Sequence, residues 1–323
     1  MPLISTQDLQ VHFPVRGGVF SRTQAWCRAV DRVTVAIEPG ETLGLVGESG
    51  CGKTTVGKAL VRLLEPTGGH IRFRDSDITH SSPRELKPRR RDLQMIFQDP
   101  AESLNPRHTV RDILEEPFLI HRLGDRDQRL AKVDALLQKV GLTPSAADKF
   151  PFEFSGGQRQ RIGIARAIAL EPKLIVCDEA VSALDVSVQS QVLNLLLDLQ
   201  RELELSYLFI SHNLAVVKHM SDRIAVMYLG RIVELAPADA IYRRPVHAYT
   251  KALLAANPIP DPAAERQRVI LEGDVPSPIN PPPGCAFGHR MKHPRYNPDT
   301  PVGPHLTEIA PGHFVQYCPC CIT

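Results

Sequence analysis

The sequence predicts an α/β fold with a mostly parallel β-sheet and a helical insertion. A short apolar run at Thr42–Val46 leads through a glycine-rich turn into helical spacing over residues 53–64, which predicts a strand–loop–helix unit. Residues 101–170 are mainly helical, and residues 126–140 place their apolar side chains on one face of a helix. A second short apolar run, at residues 174–177, is typical of a buried strand in a parallel sheet.

The remaining predicted elements extend this alternation of strands and helices. Residues 9–13 alternate as a strand does, and Pro14 with the Gly17-Gly18 pair predicts where that strand ends. Other strands are predicted at residues 33–37, 93–97, 207–210, 224–227 and 232–235, and a helix at residues 186–203.

The composition changes near residue 257, and half of the 28 prolines lie between Pro258 and Pro319. Because proline lacks an N–H and fixes φ, we expect this tail to form neither a regular helix nor a central strand. We therefore predict one domain over residues 1–257, with a helical subdomain at about 101–170, and a proline-rich C-terminal extension over residues 258–323.

Composition and charge exclude several classes of protein. With 323 residues, 43% hydrophobic and 23% charged, the chain can form a globular core. A net charge of +2 lacks the large basic field of nucleic-acid binding, so no nucleic-acid partner is expected. Residues 1–10 predict no signal peptide, and the absence of about 18 consecutive apolar residues predicts no membrane span. Seven cysteines, an odd number, favour a reducing cytoplasm over a disulfide scaffold.

A phosphate-binding loop is predicted where the run Thr42–Val46 ends. Gly47 to Thr54 match the pattern G-x-x-x-x-G-K-[ST]. Glycines let the backbone N–H groups converge on phosphate oxygens, and the following helix adds its positive end. Lys53 can bridge the β- and γ-phosphates, and the Thr54 hydroxyl can ligate Mg²⁺. The candidate ATP-binding residues here are Gly47, Glu48, Ser49, Gly50, Cys51, Gly52, Lys53, Thr54 and Thr55.

Two carboxylates follow the strand predicted at residues 174–177. Asp178 and Glu179 stand at the strand end, where ligands of an open α/β sheet bind. Asp178 can hold Mg²⁺ through water, and Glu179 can polarise an attacking water. An acidic pair after a strand is commonplace by itself, so this interpretation depends on the phosphate loop.

A second glycine-rich element begins the helix that runs to residue 170. Ser155, Gly156, Gly157 and Gln158 would expose amides at the helix N-terminus, which attract anions. A serine N-cap alone explains the helix start, but it does not explain two glycines, which cost helix stability.

In this order, the three elements resemble the ATPase subunits of ABC transporters over residues 1–257. The resemblance implies a P-loop NTPase cassette with a RecA-like parallel-sheet core, an antiparallel β subdomain and an α-helical subdomain. Ser155 to Gln158 resemble the family signature, with Phe154 in place of the leucine that usually precedes it. A second departure is Ala180, which replaces the proline that usually follows the catalytic glutamate of the family. Further matched positions are Phe13 for adenine stacking, Gln98 of the Q-loop, Asp185 of the D-loop and His212 of the H-loop.

The resemblance also implies a role for each residue. The implied catalytic residues are Lys53, Glu179 and His212, and the implied Mg²⁺ ligands are Thr54, Gln98 and Asp178. Two cassettes would pair head-to-tail, so that Ser155 to Gln158 act on the ATP of the partner. Taken singly, Gln98 fits a solvated loop, His212 a cap or turn, and Phe13 a core position on one strand face with its apolar neighbours.

The tail narrows the resemblance to the importers of dipeptides and oligopeptides. Residues 273–278 and 281–287 look like a block of that group, and the chain most resembles the second, F-type ATPase of dipeptide permeases. This implies a second, different ATPase, two permeases and a solute-binding protein, with the chain peripheral on the cytoplasmic face of a bacterial inner membrane. Nickel, glutathione and other solute importers, and a non-transport ABC ATPase, stay open as alternatives.

The C-terminal cysteines are a candidate metal site. In the peptide-importer group this block often carries four cysteines that hold a 4Fe–4S cluster. Cys285 matches the first of them, whereas Met291 stands where the second is expected. The four candidate ligands are Cys285, Cys318, Cys320 and Cys321. Adjacent cysteines are awkward donors to one cubane, so a degraded site with free or structural thiols is the alternative.

Overall fold

The protein is described by a computed structural model over residues 1–17, 21–256 and 273–322, which form two compact units. The first unit takes in residues 1–38, 42–81 and those from 209 onward, and the second takes in residues 39–41 and 82–208. Gly18 and the boundary predicted at residues 257 and 258 lie outside the described residues. Within the described ranges, no helix has the length and apolar character needed to cross a bilayer.

An antiparallel sheet lies in the first unit. Its strands are β1 (Ile4–Gly17), β2 (Arg22–Ile37), β4 (Gly68–Phe73) and β5 (Ser76–Asp77), in the spatial order β2-β1-β4-β5. Pro14 does not end β1 as predicted, because it pairs with Trp26 and the strand continues to Gly17, the first residue of the predicted glycine pair. The pairing of β4 with β1 stops at Gln10. Pro14 is therefore tolerated because it lies in an edge segment.

A second sheet in the first unit carries the predicted phosphate loop. Its strands, in spatial order, are β3 (Thr42–Val46), β9 (Arg223–Tyr228), β10 (Arg231–Pro237), β12 (His313–Gln316) and β11 (Leu306–Ala310). β3 is parallel to β9, and the other neighbours are antiparallel. The helices of this unit are α1 (Lys53–Leu60), α8 (Leu214–Met220), α9 (Ala238–Arg243), α10 (Ala248–Ala255) and α11 (Ala286–Arg290). α1 ends before the predicted residue 64, since Arg62 takes a left-handed φ of 56°.

The C-terminal tail contributes a central strand, so the expectation that it could not do so is wrong. β12 lies between β10 and β11, and neither tail strand contains a proline. The buried carboxylate of Glu234 on β10 accepts from the backbone N–H groups of Val246 and His247, at 2.9 and 3.0 Å. Its Oε1 also lies 2.7 Å from Nε2 of His313 on β12. The His313 contact joins β12 of the tail to β10, and the same carboxylate holds the start of α10.

The second unit is mainly helical. Its strands β6 (Leu93–Ile96) and β7 (Leu174–Asp178) are parallel neighbours, and β7 is followed by β8 (Ser206–Ile210), at which the chain leaves this unit. Its helices are α2 (Pro83–Arg89), α3 (Pro100–Ser103), α4 (Val110–Ile120), α5 (Arg126–Lys139), α6 (Gly156–Ile168) and α7 (Val186–Leu203). Thr109, Asp125 and Ser155 cap α4, α5 and α6 with side-chain oxygens, which explains where these helices begin.

Candidate functional site

The predicted phosphate loop connects β3 to α1 in the first unit. Gly52, the N-cap of α1, has a φ of 108°, which side chains rarely allow. A Cβ built on Gly52 would overlap the carbonyl oxygen of Ala29. The Gly230 N–H donates to the Cys51 carbonyl at 2.9 Å, so β9 and β10 meet the loop at their connecting turn. Glycine is therefore required at position 52 for both conformation and close approach.

The ammonium group of Lys53 lies inside this loop. The side chain is 5% exposed, and Nζ donates to the carbonyls of Gly47 and Glu48 at 2.8 and 3.0 Å. A positive charge enclosed by a ring of backbone is suited to a phosphate group. Burial raises the pKa of the neighbouring Cys51 thiol, so that thiol is unsuited to act as a nucleophile.

The C-terminal extension contacts the loop directly, which the sequence did not predict. Arg290 of α11 makes a bidentate ion pair with Glu48, with nitrogen–oxygen distances of 2.7 and 3.1 Å. The Glu48 N–H donates to the Tyr249 hydroxyl on α10 at 2.9 Å. The ring of Phe287 packs edge-on against Tyr249 and Tyr228, with centroids 5.4 and 5.6 Å apart. Arg290 of the extension thus holds the side chain of Glu48, while Tyr249, against which Phe287 of the extension packs, holds its backbone.

In the second unit, β7 ends at the two predicted carboxylates. Asp178 is the last residue of β7 and is 2% exposed. Glu179 follows with a left-handed φ of 47°, which is strained for a residue with a side chain. The Gln98 amide Nε2 donates to Glu179 Oε2 at 3.1 Å. The structure therefore brings together two residues that are 81 positions apart in sequence and that the resemblance assigned to one site.

The predicted signature element begins α6, as expected. Ser155 is the N-cap, its hydroxyl accepts from the Gln158 N–H, and the Gln158 side chain accepts from the Ser155 N–H in return. Ser155 and Gly156 are exposed. A Cβ on Gly157 would overlap Val188 of α7, whereas one on Gly156 would meet its nearest atom at 3.7 Å. Close packing against Val188 thus explains why position 157 is glycine, but packing does not explain the glycine at position 156.

The other predicted site residues lie on element ends and strand faces. His212 is exposed between β8 and α8 in the first unit, and Asp185 is the exposed N-cap of α7 in the second. Phe13 on β1 is 40% exposed, whereas Leu9 and Val11 on the same strand are buried. The side chain of Phe13 is therefore less enclosed than a core position would require.

A strand, a glycine-rich loop and a helix that together enclose a lysine define a P-loop NTPase. Residues 30–182 match the family described as ABC transporter, and residues 233–294 match the one described as Oligopeptide/dipeptide transporter, C-terminal region. The chain is 49% identical to the oligopeptide transport ATP-binding protein AppF of Bacillus subtilis, over 97% of this chain and 96% of that protein. It is 53% identical to OppF of Escherichia coli, over 89% of this chain and 88% of that protein.

The fold agrees with these sequence relationships. A solved dimeric ATP-binding cassette, MJ0796 in a post-hydrolysis state bound to ADP and Pi, superimposes with a TM-score of 0.65. That match has 25% identity and covers 73% of this chain and 98% of the cassette. The chain therefore belongs to the family of ABC transporter ATP-binding proteins, and it is an ATP-binding ATPase subunit of such a transporter.

Proposed function

We propose that this chain hydrolyses ATP to power the import of dipeptides or oligopeptides through a multi-subunit ABC transporter. The observation that carries the cargo class is the match of residues 233–294 to the C-terminal region of oligopeptide and dipeptide transporters. That region includes Cys285, Phe287 and Arg290, of which Arg290 contacts the phosphate loop. AppF and OppF align with most of the chain, and both are named as oligopeptide transport ATP-binding proteins, which supports the same cargo.

In this proposal the phosphate loop binds the triphosphate of ATP. The backbone amides of Gly47 to Thr55 surround the β-phosphate, and α1 adds its positive end. Lys53 exchanges its bonds to loop carbonyls for bonds to phosphate oxygens, which requires little movement because its ammonium is already inside the loop. Phe13 stacks on the adenine ring, for which its 40% exposure leaves an accessible face.

Hydrolysis is assigned to the residues around the carboxylates that follow β7. Glu179 orients and polarises the attacking water, and Gln98, bonded to Glu179, positions that carboxylate. His212 contacts the γ-phosphate. Hard oxygen donors suit Mg²⁺, and the side chains proposed to hold it are Thr54, Gln98 and Asp178. The ion would neutralise charge on the phosphates.

The active assembly is proposed to contain two cassettes. Ser155 to Gln158, at the N-terminus of α6, cover the ATP bound by a second, different ATPase, and Asp185 lies in the D-loop between the sites. Closing the pair around ATP and reopening it after hydrolysis drives two permeases, which receive cargo from a solute-binding protein. Residues 1–257 form the cassette, with a helical subdomain at about 101–170, and the chain works on the cytoplasmic face of a bacterial inner membrane.

Glu179→Gln tests the hydrolytic assignment. In the purified complex, ATP binding is expected to persist while turnover falls by about 10²- to 10⁴-fold, the usual worth of general base catalysis. The matched control is Glu204→Gln, which neutralises an exposed carboxylate at the end of α7. Wild-type turnover in Glu179→Gln would remove this residue from the reaction.

The cargo class is tested separately in proteoliposomes that contain the whole transporter. Uptake of labelled di- and oligopeptides is expected to require ATP inside the vesicle and an intact Glu179. Uptake of nickel or of glutathione, with no uptake of peptides, would reject the cargo and leave the ATPase assignment in place.

A further inference from the structure

Four thiols converge in the C-terminal extension. Cys285 is the N-cap of α11, whereas Cys318, Cys320 and Cys321 follow β12. All four side chains are buried, and their sulfur atoms lie within 4.8 Å of one another. Cys285 thus joins three cysteines that lie 33 to 36 positions later in the sequence, and together they form one compact set of soft donors.

The spacing of the sulfur atoms fits one tetrahedral ion. The Sγ–Sγ distances are 3.3 Å for Cys285–Cys321, 2.9 Å for Cys318–Cys320 and 3.9 Å for Cys320–Cys321. Four thiolates bound at about 2.3 Å to a Zn²⁺ ion lie about 3.8 Å apart along each edge of the tetrahedron. The three distances, and the 4.8 Å upper limit for the whole set, all lie within about 1 Å of that value.

The same spacing does not fit a 4Fe–4S cluster. The four cysteine sulfurs that ligate a cubane lie at its outer corners, about 6 Å from one another. In this chain the upper limit is 4.8 Å. In addition, a Cβ built on Gly288 would overlap the sulfur of Cys320 and lie 3.4 Å from that of Cys285, so α11 closes this side of the thiol set.

The polypeptide around the thiols is arranged to hold thiolates. The Gly288 N–H donates to Cys285 Sγ at 3.2 Å, as backbone amides do to metal-bound sulfur. The Cys321 N–H donates to the Cys318 carbonyl at 3.1 Å, which folds the Cys-Pro-Cys-Cys segment into a tight turn. The Ala248 N–H donates to the Cys321 carbonyl at 2.8 Å, so α10 holds the turn in place.

We propose that Cys285, Cys318, Cys320 and Cys321 bind a single Zn²⁺ ion as a structural site. A set of four sulfur donors selects Zn²⁺ or an iron–sulfur centre, and the sulfur separations favour a single ion over the larger cubane. With four protein ligands the ion has no coordination position left for water or substrate. Its role is therefore structural, and it links α11 to the turn after β12. Arg290, at the end of α11, is thereby held against Glu48 of the phosphate loop. This inference does not depend on the transported cargo.

Metal analysis of the anaerobically purified full chain tests the proposal. Zinc, iron and acid-labile sulfide are measured per chain, and the expected result is about one zinc with iron and sulfide near zero. Four irons with four sulfides would overturn it in favour of the cubane. A chain purified with zinc present that holds no metal, with all four thiols open to titration after unfolding, would overturn it in favour of plain thiols.

Serine variants locate the ion. Cys321→Ser is expected to lose more than about nine-tenths of its zinc on dialysis against a chelator, because a tetrahedral site loses one of its four ligands. Cys27→Ser on β2 is the matched control, since Cys27 lies outside the thiol set, and it should keep its zinc. Full retention of zinc by Cys321→Ser, or equal loss in the control, would place the ion elsewhere. Should Cys321→Ser fail to fold, the wild-type stoichiometry still decides the question.

Discussion

Replacing Arg290 with alanine removes the contact between the extension and the phosphate loop. The Arg290 side chain is 5% exposed, and its Nε also donates to the Gly273 carbonyl at 3.0 Å. The bonds to Glu48 raise the pKa of Arg290, so its guanidinium is charged throughout the neutral range. The variant therefore removes the described hydrogen-bond donor of two acceptors, the Glu48 carboxylate and the Gly273 carbonyl.

The cost can be estimated from burial. Breaking a fully buried ion pair costs about 3 to 5 kcal/mol, because the remaining charge is left uncompensated. Glu48 is 25% exposed, and water can therefore reach the stranded carboxylate. We expect Arg290→Ala to lower the free energy of unfolding by about 2 to 3 kcal/mol. Movement of Glu48 should also weaken ATP binding by about tenfold, equivalent to about 1.4 kcal/mol.

Urea denaturation and fluorescent-nucleotide titration measure the two effects. Arg290→Lys is the matched control: it keeps the charge but lacks the bidentate fork, so about half of the loss should be recovered. A double-mutant cycle with Glu48→Gln isolates the pairwise energy, which should exceed about 1 kcal/mol. An Arg290→Ala protein within about 0.5 kcal/mol of wild type, with unchanged ATP affinity, would refute the reasoning.

Three further predictions concern a glycine, a tyrosine and a histidine. Gly52→Ala should abolish detectable ATP binding in the same titration, since its Cβ would overlap the Ala29 carbonyl; normal affinity would contradict this. Tyr207→Phe should cost about 1 kcal/mol in urea denaturation, because the buried hydroxyl donates to the Leu196 carbonyl at 2.9 Å, and no change would show that bond to be neutral. Burial lowers the pKa of His247 to about 4 from 6.5. The unfolded chain thus binds this proton first, and stability falls as pH drops from about 6.5 to 4, by about 3 kcal/mol. His247→Asn should flatten that slope in pH-dependent unfolding, and an unaltered slope would assign it to other groups.

A strand and a helix were predictable at their full bounds because local sequence determines them. Thr42–Val46 and Val186–Leu203 form at the predicted bounds, since an apolar run or a helical period is a local signal. The strand at Pro14 was misjudged because the chain pairs on only one side there, which depends on distant residues. β12 was missed because the proline-rich composition was applied to the whole tail. The prolines that disfavour strands lie outside His313–Gln316.

The contacts that hold the phosphate loop were less predictable than the loop itself. Nothing in the sequence around Glu48 indicates that its partner is Arg290, 242 positions away. The candidate ligands of the thiol site could be named from sequence, but the ion could not, because the choice rests on sulfur separations. The Gln98–Glu179 contact was reachable only through the order of family motifs, since each residue alone is ordinary.

ATP-dependent pairing of this chain with a second cassette is the sharpest test of a nucleotide site shared between two cassettes. Glu179→Gln protein, which should bind ATP without hydrolysing it, is mixed with the ATPase subunit that co-purifies with it, and the mass is followed by sedimentation. A stable pair is expected with ATP, and separate chains are expected with ADP. An unchanged mass when ATP is bound would contradict a site shared between two cassettes.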